Sequence, residues 1–130
     1  MASITVGLKG ERRRQVTSEI AIDFLGLEGA RVLGTPFMIM LLEMTARDSI
    51  VPLLEAGYDS VGTEVNVRHL AATPMGMEVT FKSEVIEVDD RRVQFRVEAF
   101  DETEQIAEGT HERFIINVER FAKRLGEKRK

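Results

Sequence analysis

Residues 34–56 read GTPFMIMLLEMTARDSIVPLLEA, and this stretch decides the fold. Gly34-Thr35-Pro36 is a helix start, because a threonine at the cap can accept from an orphan backbone N–H and a proline at the first helical position has no N–H to leave unsatisfied. The helix is therefore expected to begin at Pro36 and to run to about Glu55, with Gly57 as a left-handed cap. Pro52 removes a hydrogen bond from its last turns and loosens them. From Phe37 to Met44 almost every residue is apolar, so the first turns have no wet face and need cover from other elements. Glu43 is the one charge in that run.

The chain around this helix alternates. Thr63, Val65, Val67 and His69 interleave with Glu64, Asn66 and Arg68, which is strand periodicity and points the first set toward the helix. Met77, Val79, Phe81 and Val85 continue it, and the Asp89-Asp90-Arg91-Arg92 turn leads into Val93, Phe95, Val97 and Ala99. A second turn at Asp101–Glu104 opens the last strand, Gln105–Asn117. Residues 2–20 read as an extended segment with its strand around Arg13–Glu19, and Arg12 to Arg14 read as a solvated strand edge. Residues 25–34 hold three glycines and form a loop into the helix. Residues 118–130 form a short amphipathic helix with a basic end. An antiparallel sheet of about five strands needs a cover on its apolar face, and the helix is the only long apolar one on offer. The expected class is α+β, a sheet wrapped around one long central helix.

Composition sets outer limits. With 130 residues, 43% of them hydrophobic, the chain 1–130 is expected to form one domain with a real core. A net charge of −4 argues against nucleic-acid binding, which needs a cationic surplus. The absence of cysteine removes disulfides and thiolate chemistry, and the two histidines, His69 and His111, lie too far apart in sequence to suggest a metal cluster. No apolar stretch approaches a membrane span, and residues 1–10 lack the charged start and apolar core of a signal peptide. A cytoplasmic protein with no cofactor and no membrane or nucleic-acid partner is expected.

An ionised Glu43 in an apolar helix is costly unless it is paired, holds a proton or faces a cavity. Each alternative suits a catalytic base; pairing with Arg47 one turn on is the plain structural reading. His69 on the strand facing that helix can be oriented by Glu43 or share proton transfer with it. Thr35 is explained by capping alone, although a helix N-terminus also offers N–H groups that stabilise an oxyanion. His111 reads as structural or surface, and Met38, Met40 and Met44 as adaptable core.

These residues also carry a resemblance. The Gly34-Thr35-Pro36 start, Glu43 in the helix, Gly62 opening a strand and His69 within it resemble hot-dog fold acyl-CoA thioesterases of the fluoroacetyl-CoA thioesterase family. The resemblance implies the hot-dog fold and a catalytic set of a threonine, a glutamate eight residues on and a histidine 26 further, which fall here on Thr35, Glu43 and His69. It implies substrate-binding positions at Gly62 and Arg113, the latter in Glu108-Gly109-Thr110-His111-Glu112-Arg113. It further implies a small acyl-CoA substrate and a homodimer or dimer of dimers. The runner-up activity is a hot-dog 3-hydroxyacyl-CoA dehydratase or hydratase; a non-catalytic acyl-CoA binding module is the reading from another class. CoA phosphates would meet scattered cations, with Arg12 to Arg14, Arg68, Lys82 and the C-terminal basic residues as candidates. The family's aromatic lid has no match in a loop bearing Gly26 and Gly29 with only Phe24 nearby, so no marked preference for a fluorinated acyl group is expected.

Overall fold

A computed structural model describes residues 3–130 of the chain; residue 2, where the expected extended segment begins, lies outside them. The elements are β1 (Lys9–Gln15), α1 (Thr35–Ile50), β2 (Tyr58–His69), β3 (Glu78–Asp89), β4 (Arg92–Phe100), β5 (Gln105–Asn117) and α2 (Val118–Lys128). The five strands form one antiparallel sheet in the order β1-β3-β4-β5-β2. This is the hot-dog arrangement, with α1 as the filling.

The core follows from period two. Val79, Phe81 and Val85 of β3 and Val93, Phe95, Val97 and Ala99 of β4 are all fully buried, and they meet Met38, Leu41, Leu42, Ala46 and Ile50 of α1. The turn between β3 and β4 falls at the expected Asp89–Arg92, where Asp90 takes a φ of 55°, a conformation aspartate tolerates.

Several boundaries differ from the expectation. The first strand is Lys9–Gln15, earlier than Arg13–Glu19, because its register is fixed by antiparallel pairing with β3, Lys9 opposite Glu84 through Gln15 opposite Glu78. It is an edge strand, as its arginines suggested, and Arg12 is held by Asp48 of α1. The α-helix stops at Ile50, earlier than Glu55: Pro52 sits inside a single 3₁₀ turn, Val51–Leu53, and Gly57 turns the chain at a φ of 87°. The cap residue is Gly34; Thr35 is already helical and makes no capping bond.

The largest correction concerns cover. Phe37, Met40 and Met44 remain 37%, 43% and 37% exposed, so one stripe of α1 is left bare by its own sheet. Along β2, Val67 packs against the core, but residues 62–66 are exposed. The strand is a sheet edge with a bulge between Gly62 and Glu64 that shifts the pairing with β5, so Thr63 turns away from the helix to bond Glu112, while Val65, opposite the buried His111, keeps the face of Val67 and His69 and is left 38% exposed at the open edge.

Candidate active site

Two clusters flank α1. At its N-terminus, Thr35 Oγ1 lies 2.8 Å from Nδ1 of His69. The hydroxyl is available because Gly34 takes the cap position. Burial holds the His69 imidazole below its ordinary pKa, with the Ala71 backbone opposing the shift. Its Nε2 is buried and closes no hydrogen bond, which leaves a directional polar atom for a ligand. Both residues line an open cavity of about 500 Å³ with Ile22, Phe24, Leu33 and Leu70. Phe24, Leu25 and Leu27 of the preceding loop are mostly exposed, and a Cβ at Gly26 or Gly29 would meet nothing within 4 Å. Phe24 thus lines the cavity from the start of the loop, while the Gly26 and Gly29 positions pack against nothing.

Two helical turns on, Glu43 faces Gly62, His111 and Arg113. Its Oε1 is 3.7 Å from Arg113 Nη1 and 3.8 Å from His111 Nε2. A Cβ built on Gly62 would sit 2.3 Å from Glu43 Oε1, so only glycine lets the carboxylate lie against the strand. Arg47, the alternative partner considered for Glu43, instead holds Asp59 through paired bonds of 3.0 and 2.6 Å. The Glu43 side chain keeps 35% of its exposure, so it is paired on one side and open on the other.

Arg113 is 6% exposed. Its Nε donates to Ser60 Oγ at 2.7 Å and its Nη2 to the Ser60 carbonyl at 2.8 Å. His111 is 2% exposed and stacks on Phe95 with ring centroids 6.1 Å apart; of the two expected alternatives, structural or surface, it is not the surface one, and its place beside Glu43 was not foreseen. The signal was available: His111 and Arg113 are two apart on a strand and so share a face. Ser60 was also missed, since nothing in its sequence surroundings distinguishes it.

Of the expected set, Thr35 meets His69, and Glu43 meets Gly62 and Arg113. Glu43 and His69 do not meet within one chain. Eight residues of helix separate Thr35 from Glu43 by ~12 Å. Among the described residues no group of three or more histidine and acidic side chains is placed to hold a metal, and no helix is long and apolar enough to cross a membrane.

A family model described as fluoroacetyl-CoA-specific thioesterase matches residues 16–119, spanning both clusters. The chain belongs to that family. The fluoroacetyl-CoA thioesterase of Streptantibioticus cattleyicolor is 41% identical over 101 residues, 78% of this chain and 73% of that protein. A solved structure of the fluoroacetyl-CoA thioesterase FlK superposes with a TM-score of 0.89 at 34% identity, covering 98% of each chain. A thioesterase superfamily member from Thermus thermophilus superposes at 0.85 with 31% identity, over 98% of this chain and 97% of that one. With membership of the fluoroacetyl-CoA-specific thioesterase family come the hot-dog fold and the reaction class, hydrolysis of an acyl-CoA thioester.

Proposed function

We propose that this chain, as one domain, hydrolyses the thioester of a small acyl-CoA at a site shared by two copies of itself. The observation that carries the reading is the division of the chemistry: Thr35 and His69 at one end, Glu43 with Gly62 and Arg113 two turns away. Two antiparallel copies of α1 about a twofold axis bring the start of one helix to the middle of the other. The bare stripe of Phe37, Met40 and Met44 and the unpaired edge of β2 lie on the faces such a partner would cover. A second copy of this chain is the occupant that also completes the site.

In this reading the thioester carbonyl rests over the N-terminus of α1, where free N–H groups and the helix dipole stabilise the developing oxyanion. Thr35 and the orphan Nε2 of His69 orient it and share proton transfer. Glu43 of the opposing copy acts on water or on the carbonyl carbon, and Gly62 and Arg113 shape the wall behind it. Hydrolysis of this kind needs no cofactor. The CoA moiety of a relative solved with fluoroacetate and CoA supports acyl-CoA as substrate, and an acyl-CoA substrate supports a cytoplasmic location.

The test is thiol release from a panel of short acyl-CoA esters by the purified protein and by Glu43→Gln. Turnover by the former and a loss of ~100-fold or more in the latter, the scale of a general base, with acyl-CoA binding retained, is the expected result. Unchanged turnover in Glu43→Gln overturns the assignment. Hydration of enoyl-CoA without thiol release would favour the dehydratase reading.

A further inference from the structure

The mechanism above gives His111 no task, yet it is the most buried polar ring in the molecule and lies beside the carboxylate. We propose that His111 is a positioning residue: as a neutral imidazole with its proton on Nδ1, it uses the Nε2 lone pair to hold the Arg113 guanidinium against Glu43. The proposal rests on the reading of Glu43 as the group that acts on the thioester.

The tautomer follows from the partners. His111 Nδ1 lies 2.9 Å from the carbonyl oxygen of Glu64, which can only accept, so Nδ1 carries the hydrogen. Nε2 lies 3.2 Å from Arg113 Nη1. A guanidinium has donors only, so Nε2 must be the acceptor. Protonating Nε2 would set an N–H against an N–H and exchange the Arg113 contact for attraction to Glu43 Oε1, 3.8 Å away.

The charged groups around the ring are Glu43 from α1 and Arg113 and Glu112 on its own strand, with the Glu64 carbonyl from β2 and Phe95 from β4. Burial, with Arg113 adding to it, pushes the imidazole below its ordinary pKa and so favours the neutral ring, against the opposing pull of the Glu64 carbonyl and then of the two carboxylates. Arg113 is thus held on both sides. Ser60 takes Nε and Nη2, His111 takes Nη1, and the remaining direction of Nη1 lies toward Glu43 at 3.7 Å. The Glu64 carbonyl that locks His111 lies just past the β2 bulge, so the irregular register there has a use. A buried charge with fixed partners does not reorganise during reaction.

Two isosteres separate this role from mere packing. Glutamine places its carbonyl oxygen near Nε2 and keeps the acceptor for Arg113; asparagine places its amide near Nδ1 and keeps the Glu64 bond alone. On acetyl-CoA, His111→Gln is expected to stay within about threefold of the parent kcat. His111→Asn is expected to fall by ~10- to 100-fold in kcat at similar KM, the scale of a misplaced catalytic group. Equal rates, or a faster Asn variant, overturn the proposal, because a residue that only packs or braces the bulge predicts that order.

If the Asn variant does not fold, the parent protein decides. The chain has two histidines, so ¹⁵N-histidine NMR at pH 7.5 resolves the tautomer of each. The Nδ1–H form of His111 upholds the proposal; an Nε2–H form or an imidazolium overturns it. Full activity in Glu43→Gln would overturn the proposed function, while the tautomer measurement would still uphold or overturn the placement of Arg113.

Discussion

Thr35 Oγ1 and His69 Nδ1 stand 2.8 Å apart, and this bond, with no cap bond made by the threonine, means that the hydroxyl is not spent on the helix end. Removing the hydroxyl costs the helix no cap. Thr35→Ala is therefore expected to melt within a few degrees of the parent while kcat falls by ~10- to 100-fold, the range for a group that positions proton transfer. Thr35→Ser retains the hydroxyl and most of the rate. A matched loss of stability and activity in the alanine variant would return Thr35 to a structural role.

Two glycines predict opposite outcomes. Alanine at Gly62 meets the mobile end of Glu43 at 2.3 Å, so the side chain moves and the fold survives with turnover lost. Alanine at Gly109 meets the Asn66 carbonyl oxygen at 2.2 Å and Val67 Cα at 2.6 Å, backbone that cannot yield without opening the β2–β5 pairing. Gly109→Ala is expected to cost about 1–3 kcal/mol, the usual range for overpacking. Thermal melts beside thiol-release assays check both; a destabilised Gly62→Ala with normal kcat would contradict the placement of Glu43.

Sharing of the site between copies is testable by complementation. Thr35→Ala and Glu43→Ala chains are each expected to be inactive, and mixed dimers to regain part of the activity through the one site that draws both intact residues. Met40→Glu, which puts a charge on the bare stripe of α1, is expected to yield an inactive monomer of normal secondary structure. Activity in a verified monomer would rule out sharing.

Acid is expected to weaken the protein through its histidines. Burial sets both imidazoles below the ordinary 6.5, so the unfolded chain takes up protons first. Stability is complete above that pH and declines as pH falls through 6.5 toward the depressed folded values. Asp59, held down by the hydrogen bond from Arg47, belongs to a second, more acid window beginning near 3.8. Urea midpoints at pH 8 and 5.5 should drop for the parent and drop less for His111→Gln. An equal drop in the two would show that His111 takes no part.

The loop over the Thr35 cavity is open, with Phe24 77% exposed and glycine at 26 and 29. Comparable kcat/KM for acetyl-CoA and fluoroacetyl-CoA is the expected result. A large excess for the fluorinated ester would mean that the loop closes over the substrate.

By itself the sequence determined the local pattern: a proline-started apolar helix, period-two strands in β3 and β4, and the turn at Asp89–Arg92, because each is written in neighbouring residues. It also carried the spacing of Thr35, Glu43 and His69. The register of β1, the bulge after Gly62 and the bare stripe on α1 depend on which strand pairs with which, and long-range pairing leaves no local mark. For the same reason the pairing of Glu43 with Arg113 and His111 in place of Arg47 or His69 was decided only by the tertiary structure. Period two fixes the face on which a side chain lies, and only the sheet order and register fix how far along that face it meets the helix.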